Sequence, residues 1–282
     1  METWNKKLVN TSRGIFEIFE KGNGEPLCIT HLYSEFNETG DYFANTFTET
    51  NRVILVNLRE AGDSEKSKHA HELSMLETVF DLEAIRKCLN IKKWGFAGHS
   101  TGGILALVYG IYFSTSLKYL VTVGAAARDY MTFSKDCIYH AEHPQFHKMQ
   151  GLIESLKKPN LTPEARKEIS KERTKLSLVK PEKYEEYFNK NINKKMSRVR
   201  MDYFAREMQL LDVTKKIKLI TVSTLIMCGK YDVQCPIEYS IEMNQLISDS
   251  KLIIFEHSNH YPFLEEKELF LKEINHFIGY VI

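Results

Sequence analysis

Hydrophobic positions fall into two regimes along this chain. From residue 13 to 125, short apolar runs alternate with longer stretches in which apolar residues recur every three or four positions. Runs at 13–20, 27–31, 52–58, 94–97 and 117–123 predict strands. Those at 27–31 and 52–58 are nearly continuous rather than alternating, the pattern of strands covered on both faces. Residues 73–89 predict a helix, with Leu76, Val79, Phe80, Glu83 and Arg86 on helical spacing. Residues 41–48 predict a short helix and 103–109 a buried one. Lys21-Gly22-Asn23-Gly24-Glu25-Pro26 predicts a turn. Strand–helix alternation of this kind predicts an α/β fold with a mostly parallel sheet and helices on both faces.

The pattern changes from 128 to 212. Strand-like runs vanish, and aromatics, histidines and lysines dominate. Thr162-Pro163-Glu164 and Lys180-Pro181-Glu182 read as helix starts with proline in the first turn. The α/β pattern resumes with a strand at 223–228, a helix at 237–247, a strand at 251–255 and a helix at 263–278. This divides the chain into the first part of a core (1–127), a helical cap inserted into it (128–212) and the second part of the core (213–282).

Composition adds mostly exclusions. The chain has 282 residues, 43% hydrophobic and 27% charged, which suits one large globular core with an insertion. A net charge of +1 gives no global field toward nucleic acid or membrane. Residues 148–200 hold 15 Lys/Arg against 7 Glu, but the interleaved glutamates read as solvated helix faces. No run approaches the ~20 apolar residues of a membrane span, and residues 1–7 lack the apolar stretch of a secretory leader. Cys28, Cys88, Cys137, Cys228 and Cys235 are odd in number and show no C-x-x-C spacing, so they read as buried free thiols of a cytoplasmic protein. A small molecule is the expected substrate, with no nucleic-acid or membrane partner. Nothing sets the oligomeric state.

The chemistry concentrates at Gly98-His99-Ser100-Thr101-Gly102. A G-x-S-x-G pentapeptide arises by chance in roughly one chain in twenty-five of this composition, so the bare pattern is weak. Here it joins a predicted strand to a predicted helix, and that turn projects a serine hydroxyl from the carboxyl edge of a sheet. A Cβ at either flanking glycine would meet a neighbouring element. Serine needs a base to take its proton and a third group to orient the base. Asp232 follows the strand at 223–228 and is the acid candidate, with Asp129 as its rival. His260 follows the last strand and is the base candidate, with His257 as its rival. An oxyanion hole needs two backbone N–H groups. Thr101 supplies one at the start of the helix, and Leu32 or Tyr33 supplies the other from the loop after 27–31.

Three further segments make a resemblance specific. His260-Tyr261-Pro262-Phe263-Leu264-Glu265, running on to Phe270, resembles an H-x-P-x-x-E-x-P-x-x-F segment, with Lys267 where the second proline often stands. Gly229 to Pro236 resembles G-x-x-D-x-x-x-P. Asn57-Leu58-Arg59-Glu60-Ala61-Gly62-Asp63-Ser64 resembles D-x-R-G-x-G-x-S, with Asn57 and Glu60 as departures. Together these resemble the α/β-hydrolase superfamily, in the capped branch that includes prolyl iminopeptidases, haloperoxidase-like esterases and epoxide hydrolases. The resemblance spans nearly the whole chain outside the cap. It implies a serine hydrolase that cleaves an ester, amide or related acyl bond through an acyl-enzyme, with Ser100, Asp232 and His260 as its triad and no metal or organic cofactor. Serine at the elbow argues against epoxide hydrolase chemistry, which uses aspartate there. His31-Leu32-Tyr33-Ser34 departs from the family's His-Gly, and leucine does not enter the glycine-only backbone region at low cost, so the oxyanion loop is expected to take a different path.

Two alternatives stay open. A proline-type N-terminal aminopeptidase would need acidic cap residues for a free amine, and Glu142 and Glu207 are available. A non-catalytic small-ligand receptor could use the same fold. His140, His143 and His147 would share a face on a continuous helix, but Pro144 interrupts it and no carboxylate or thiol completes a metal set. The aromatics Tyr130, Phe133, Tyr139, Phe146, Tyr203 and Phe204 fall in the cap or at its junctions, where they could line a pocket or pack against the core.

Overall fold

The structure, a computed structural model, describes residues 3–281. The reading of residues 1, 2 and 282 as ends of the core, and of the first two as part of a leaderless start, lies outside them. In chain order the elements are β1 (Asn5–Thr11), β2 (Gly14–Lys21), β3 (Glu25–Ile29), β4 (Ser34–Glu35), β5 (Asn51–Val56), α1 (Met75–Cys88), β6 (Trp94–His99), α2 (Thr101–Phe113) and β7 (Leu117–Val123). Then come α3 (Phe146–Lys157), α4 (Pro163–Lys175), α5 (Tyr184–Tyr187), β8 (Lys195–Met196) and α6 (Arg198–Met208). The chain closes with β9 (Thr224–Gly229), α7 (Ile237–Leu246), β10 (Ser250–Phe255), α8 (Pro262–Glu265) and α9 (Lys267–Val281).

Eight strands form one sheet in the order β1-β2-β5-β3-β6-β7-β9-β10. β2 pairs antiparallel with β1 and β5, and the pairs from β5 onward are parallel. In β5, Val53 and Leu55 face one side while Ile54 and Val56 face the other, and all four are buried. One face packs against α1, α2 and α7, through Val79, Leu82, Leu105, Tyr109 and Met243. The other packs against α9, through Phe270, Ile274, Phe277 and Ile278. Each such side chain contributes about 1.5–3 kcal/mol when fully buried.

Some expectations need correction. β1 is a strand that periodicity does not reveal, because it lies at the sheet edge with most of its side chains exposed. Residues 41–48 form only a short 3-10 turn at Ala44–Phe47. The predicted last helix breaks at Glu266, whose Oε2 accepts from His257 N at 2.9 Å and Ser258 Oγ at 2.7 Å. Cys88 is exposed, unlike the other four thiols.

The chain leaves the sheet after β7 and returns before β9. Arg128 and Asp212 face each other there in an isolated antiparallel bridge. Between them lie α3 to α6 and the two-residue β8. Pro163 opens α4 as expected, with Thr162 accepting from Ala165 N at 3.2 Å. Ile138, Met149 and Leu176 make a small separate core for this region. None of the described helices is long and apolar enough to cross a membrane.

A buried polar network ties α1 and α2 to the start of β6. Arg86 grips Glu83 with Nε at 2.8 Å and Nη2 at 2.7 Å. Tyr109 OH donates to Glu83 Oε1 at 2.7 Å and accepts from Trp94 Nε1 at 2.9 Å. Tyr109→Phe would leave a buried indole N–H unpaired and should cost about 1–3 kcal/mol. Urea unfolding measures it; an unchanged midpoint would show that this network does not hold the elbow strand.

Candidate active site

Ser100 joins β6 to α2 in a single residue, at φ 56° and ψ −122°. The elbow closes because its neighbours lack side chains. A Cβ on Gly98 would stand 2.1 Å from Gly102 C, and one on Gly102 would stand 2.3 Å from Thr30 O. Ser100 N donates to Val123 O at 2.8 Å, so the serine is held at the ends of both β6 and β7.

Asp232 and His260 meet at the same edge. His260 Nδ1 is 2.8 Å from Asp232 Oδ2 and 3.0 Å from Oδ1. Both residues are buried. Asp232 Oδ1 also accepts from Gln234 N and Cys235 N, each at 2.9 Å, which fixes the carboxylate. With an acceptor-only carboxylate at Nδ1, the proton sits on Nδ1 and the Nε2 lone pair is free. Two tethers bring this pair to Ser100. Gly124, next after Val123, has Asp232 Oδ2 within 2.9 Å and His260 Cε1 within 3.1 Å of its Cβ position. His99, beside Ser100, donates from Nε2 to His260 O at 2.7 Å. A carbonyl only accepts, so His99 is the Nε2–H tautomer; burial holds its pKa well below the usual range and keeps it neutral.

The rivals lie elsewhere. Asp129 Oδ1 accepts from Met131 N at 2.9 Å and Thr132 N at 3.2 Å, closing its own turn. His257 is exposed. His140 Nδ1 accepts from Glu142 N and His143 Nδ1 from Gln145 N in successive turns, and α3 starts only at Phe146. Among the described residues no group of three His, Cys, Asp or Glu converges on a metal position. Glu142 pairs with Lys135 at 2.6 Å on the surface, and Glu207 Oε1 accepts from Met75 N at 2.9 Å.

Leu32 lies outside the positive-φ region. Its N–H donates to Thr101 Oγ1 at 3.3 Å. Thr101 N and Tyr33 N have no protein acceptor among the described residues, which leaves both free for an oxyanion. The cap holds this loop in place. β4 pairs with β8, Ser197 N donates to Tyr33 O at 2.8 Å, and Arg200 Nε donates to Leu32 O. Arg200 also donates to Arg59 O at 3.2 Å and Thr78 Oγ1 at 3.1 Å. Burial pushes its pKa down to about 10, so it stays charged at neutral pH.

Arg200, His99 and Glu265 were not singled out as site residues from sequence. Arg200 lies in a lysine-rich stretch that hides which cation is buried. His99 and Glu265 sit inside quoted motifs, without a role there. Glu265 joins the cap to the His260 loop, accepting from Val179 N at 2.7 Å and Asn259 N at 2.8 Å.

Residues 27–267 match the alpha/beta hydrolase fold family. A solved structure of an alpha/beta fold family hydrolase from Bacillus anthracis str. Sterne is 43% identical, with a TM-score of 0.93 over 97% of this chain and 99% of that one. The chain is 27% identical to a proline iminopeptidase of Saccharolobus solfataricus, over 81% of this chain and 76% of that protein. It is 25% identical to a 2-hydroxy-6-oxo-2,4-heptadienoate hydrolase of Pseudomonas putida, over 81% and 78%.

Burial raises the Glu265 pKa from 4.5 to about 7. A carboxyl raised on folding binds more protons in the folded state, so its contribution is complete below 4.5 and lost as pH rises through 7. Wild-type stability should therefore fall relative to Glu265→Gln across that window and run parallel to it above. Melting curves from pH 4 to 9 check this; parallel curves throughout would mean that folding does not shift the Glu265 pKa.

Proposed function

The chain belongs to the α/β-hydrolase family, and from that premise we propose a serine hydrolase that cleaves an ester, amide or related acyl bond of a small substrate. The observation that carries this reading is His260 Nδ1 held between both oxygens of buried Asp232, with His260 O bonded to His99, the residue before the serine of a one-residue strand-to-helix turn.

In this mechanism Ser100 Oγ attacks the acyl carbon and His260 Nε2 takes its proton. Asp232 holds Nδ1–H and stabilises the imidazolium. Thr101 N–H and Tyr33 N–H donate to the oxyanion at the positive end of α2. Tyr33 is the better second donor, because Leu32 N–H is directed at the Thr101 hydroxyl. The leaving group departs with the proton from His260. Water then gives a proton to His260 and attacks the acyl-enzyme, which releases the acid and restores Ser100.

Relatives named as iminopeptidases favour an aminopeptidase reading. The cap carboxylates it would need point away from it, since Glu142 is a surface ion pair and Glu207 caps the start of α1. Fold membership sets the reaction class and not the substrate. A receptor would turn over simple esters very slowly; a hydrolase should do so with full dependence on Ser100.

A fluorophosphonate probe should label one serine and label nothing in Ser100→Ala; persistent labelling would remove the nucleophile assignment. Asp232→Asn should lower kcat by about 10⁴, as loss of the orienting aspartate does in serine proteases. Asp129→Asn should stay within a few-fold of wild type. Equal losses in the two folded variants would move the acid away from Asp232.

A further inference from the structure

α4 carries a cation that no carboxylate pairs with among the described residues. Arg173 lies in the last turn of α4. Its helix neighbours pair off, Lys171 with Glu185 at 2.5 Å and Lys175 with Glu172 at 2.7 Å. Arg173 has no carboxylate partner among the described residues, and its Nε is buried with no hydrogen-bond partner.

Its position over the site follows from its neighbours. Four residues on, Ser177 O accepts from His260 N at 3.3 Å, and Ser177 Oγ accepts from Gln234 Nε2 at 2.9 Å. Gln234 Oε1 accepts from Tyr139 OH at 2.8 Å. Tyr139, Tyr261 and Tyr33 lie close enough to the guanidinium to act on it electrostatically. Those tyrosines reach down to the core. Tyr33 meets the His31 ring edge-on at 4.5 Å, and Tyr261 meets the His260 ring at 5.3 Å. His31 Nδ1 is a second buried polar atom there without a partner. The nearby cation Lys194 is already paired, with Asp41 at 3.0 Å.

A guanidinium on a half-buried side chain, with its Nε shut off from solvent and unpaired, is stabilised by a counter-charge. Here the protein supplies hydroxyls and rings but no anion. Arg Nε–H and the adjacent Nη–H form the fork that matches two carboxylate oxygens.

We propose that Arg173 is the anion anchor of the substrate chamber, and that the substrate carries a carboxylate held there while its acyl carbon lies at Ser100. This rests on the serine-hydrolase reading and names its substrate class. Gln234 holds the Tyr139 hydroxyl beside the guanidinium. A free amine would meet positive charge in the same place.

The test uses esters of matched length, p-nitrophenyl hemiglutarate and p-nitrophenyl valerate. Wild type should favour the hemiglutarate by about 30-fold or more in kcat/KM, the low end of what losing one partner of a buried charge pair costs. Arg173→Met should abolish that preference and leave valerate turnover within about threefold. Arg173→Lys should recover part of it. No preference in wild type, or an equal loss on both esters in Arg173→Met, overturns the proposal. A binding arm stands apart from turnover: Ser100→Ala titrated calorimetrically with monomethyl glutarate and with dimethyl glutarate. Half-ester binding that Arg173→Met removes supports the anchor even if no ester is hydrolysed, an outcome that sinks the hydrolase reading alone. Ser100-dependent valerate hydrolysis without half-ester binding sinks the anchor alone. Should Arg173→Met not fold, the wild-type preference and the Arg173→Lys variant decide.

Discussion

One close approach organises the carboxyl edge of this sheet: the backbone of Gly102 against the carbonyl of Thr30. With no Cβ at Gly102, the first turn of α2 abuts the end of β3. That contact sets Thr101 N–H beside the loop that carries Tyr33, and it forces Ser100 into its corner at φ 56°. The chain runs from β3 outward to β5 and then returns past β3 to β6, so the strand order reverses between β3 and β6. Such a switch point is where open α/β sheets place their ligand crevice, and Thr101 N and Tyr33 N, the proposed oxyanion donors, follow the strands on either side of it. A strained non-glycine residue costs of order 1–3 kcal/mol. The fully buried Phe96, Val121 and Val123 around it offset that several times over.

The oxyanion loop depends on the cap rather than on its own backbone. Where the family has glycine, Leu32 restricts the chain, and the loop gains its shape from outside. Ser197 and β8 pair with it, and Arg200 reaches through to its carbonyl. Arg200 spends its donors on Leu32 O, Arg59 O and Thr78 Oγ1, so one buried cation joins the oxyanion loop, the loop after β5 and α1. In the proposed mechanism the cap is therefore part of the catalytic edge. A different cap on this core would have to supply the same contacts before the Tyr33 N–H pointed anywhere useful.

What the sequence discloses follows from how local each feature is. The elbow is legible because strand, turn and helix are contiguous around Ser100. Asp232 and His260 are legible because each follows a buried apolar run, and such runs end at one edge of a parallel sheet. The departures at Asn57 and Glu60 turn out to be compatible with the same loop. Glu60 adopts φ 65°, the conformation for which the related motif keeps glycine. Asn57 accepts from Phe36 N at 2.8 Å and donates to Phe36 O at 3.0 Å, bracing the segment before β5. β1 stays hidden because an exposed edge strand carries no apolar period. Arg173 and Arg200 stay hidden for a different reason. In a run of alternating lysine, arginine and glutamate, each cation looks solvated, and only tertiary structure decides which two turn inward.

Those two cations give the site a consistent electrostatic character. Asp232 is committed to His260 and Asp41 to Lys194, so neither neutralises Arg173 or Arg200. Burial first, and the surrounding positive charge second, hold His31 well below its ordinary pKa, so that ring stays neutral. A neutral His31 and His99 leave His260 as the histidine that Asp232 can stabilise in charged form. Burial is the leading reason that both of those rings stay neutral. Fixed positive groups in a desolvated site act most strongly where charge develops during the reaction. In the proposed mechanism the tetrahedral oxyanion is such a charge, met by backbone N–H groups, whereas a substrate carboxylate is a constant charge, met by Arg173. An incoming ammonium would lose its hydration shell and meet Arg173 with no acidic partner nearby. On the proposed reading the oxyanion is met by Thr101 and Tyr33 N–H and the substrate carboxylate by Arg173, so a substrate amine would find no counter-charge at that anchor.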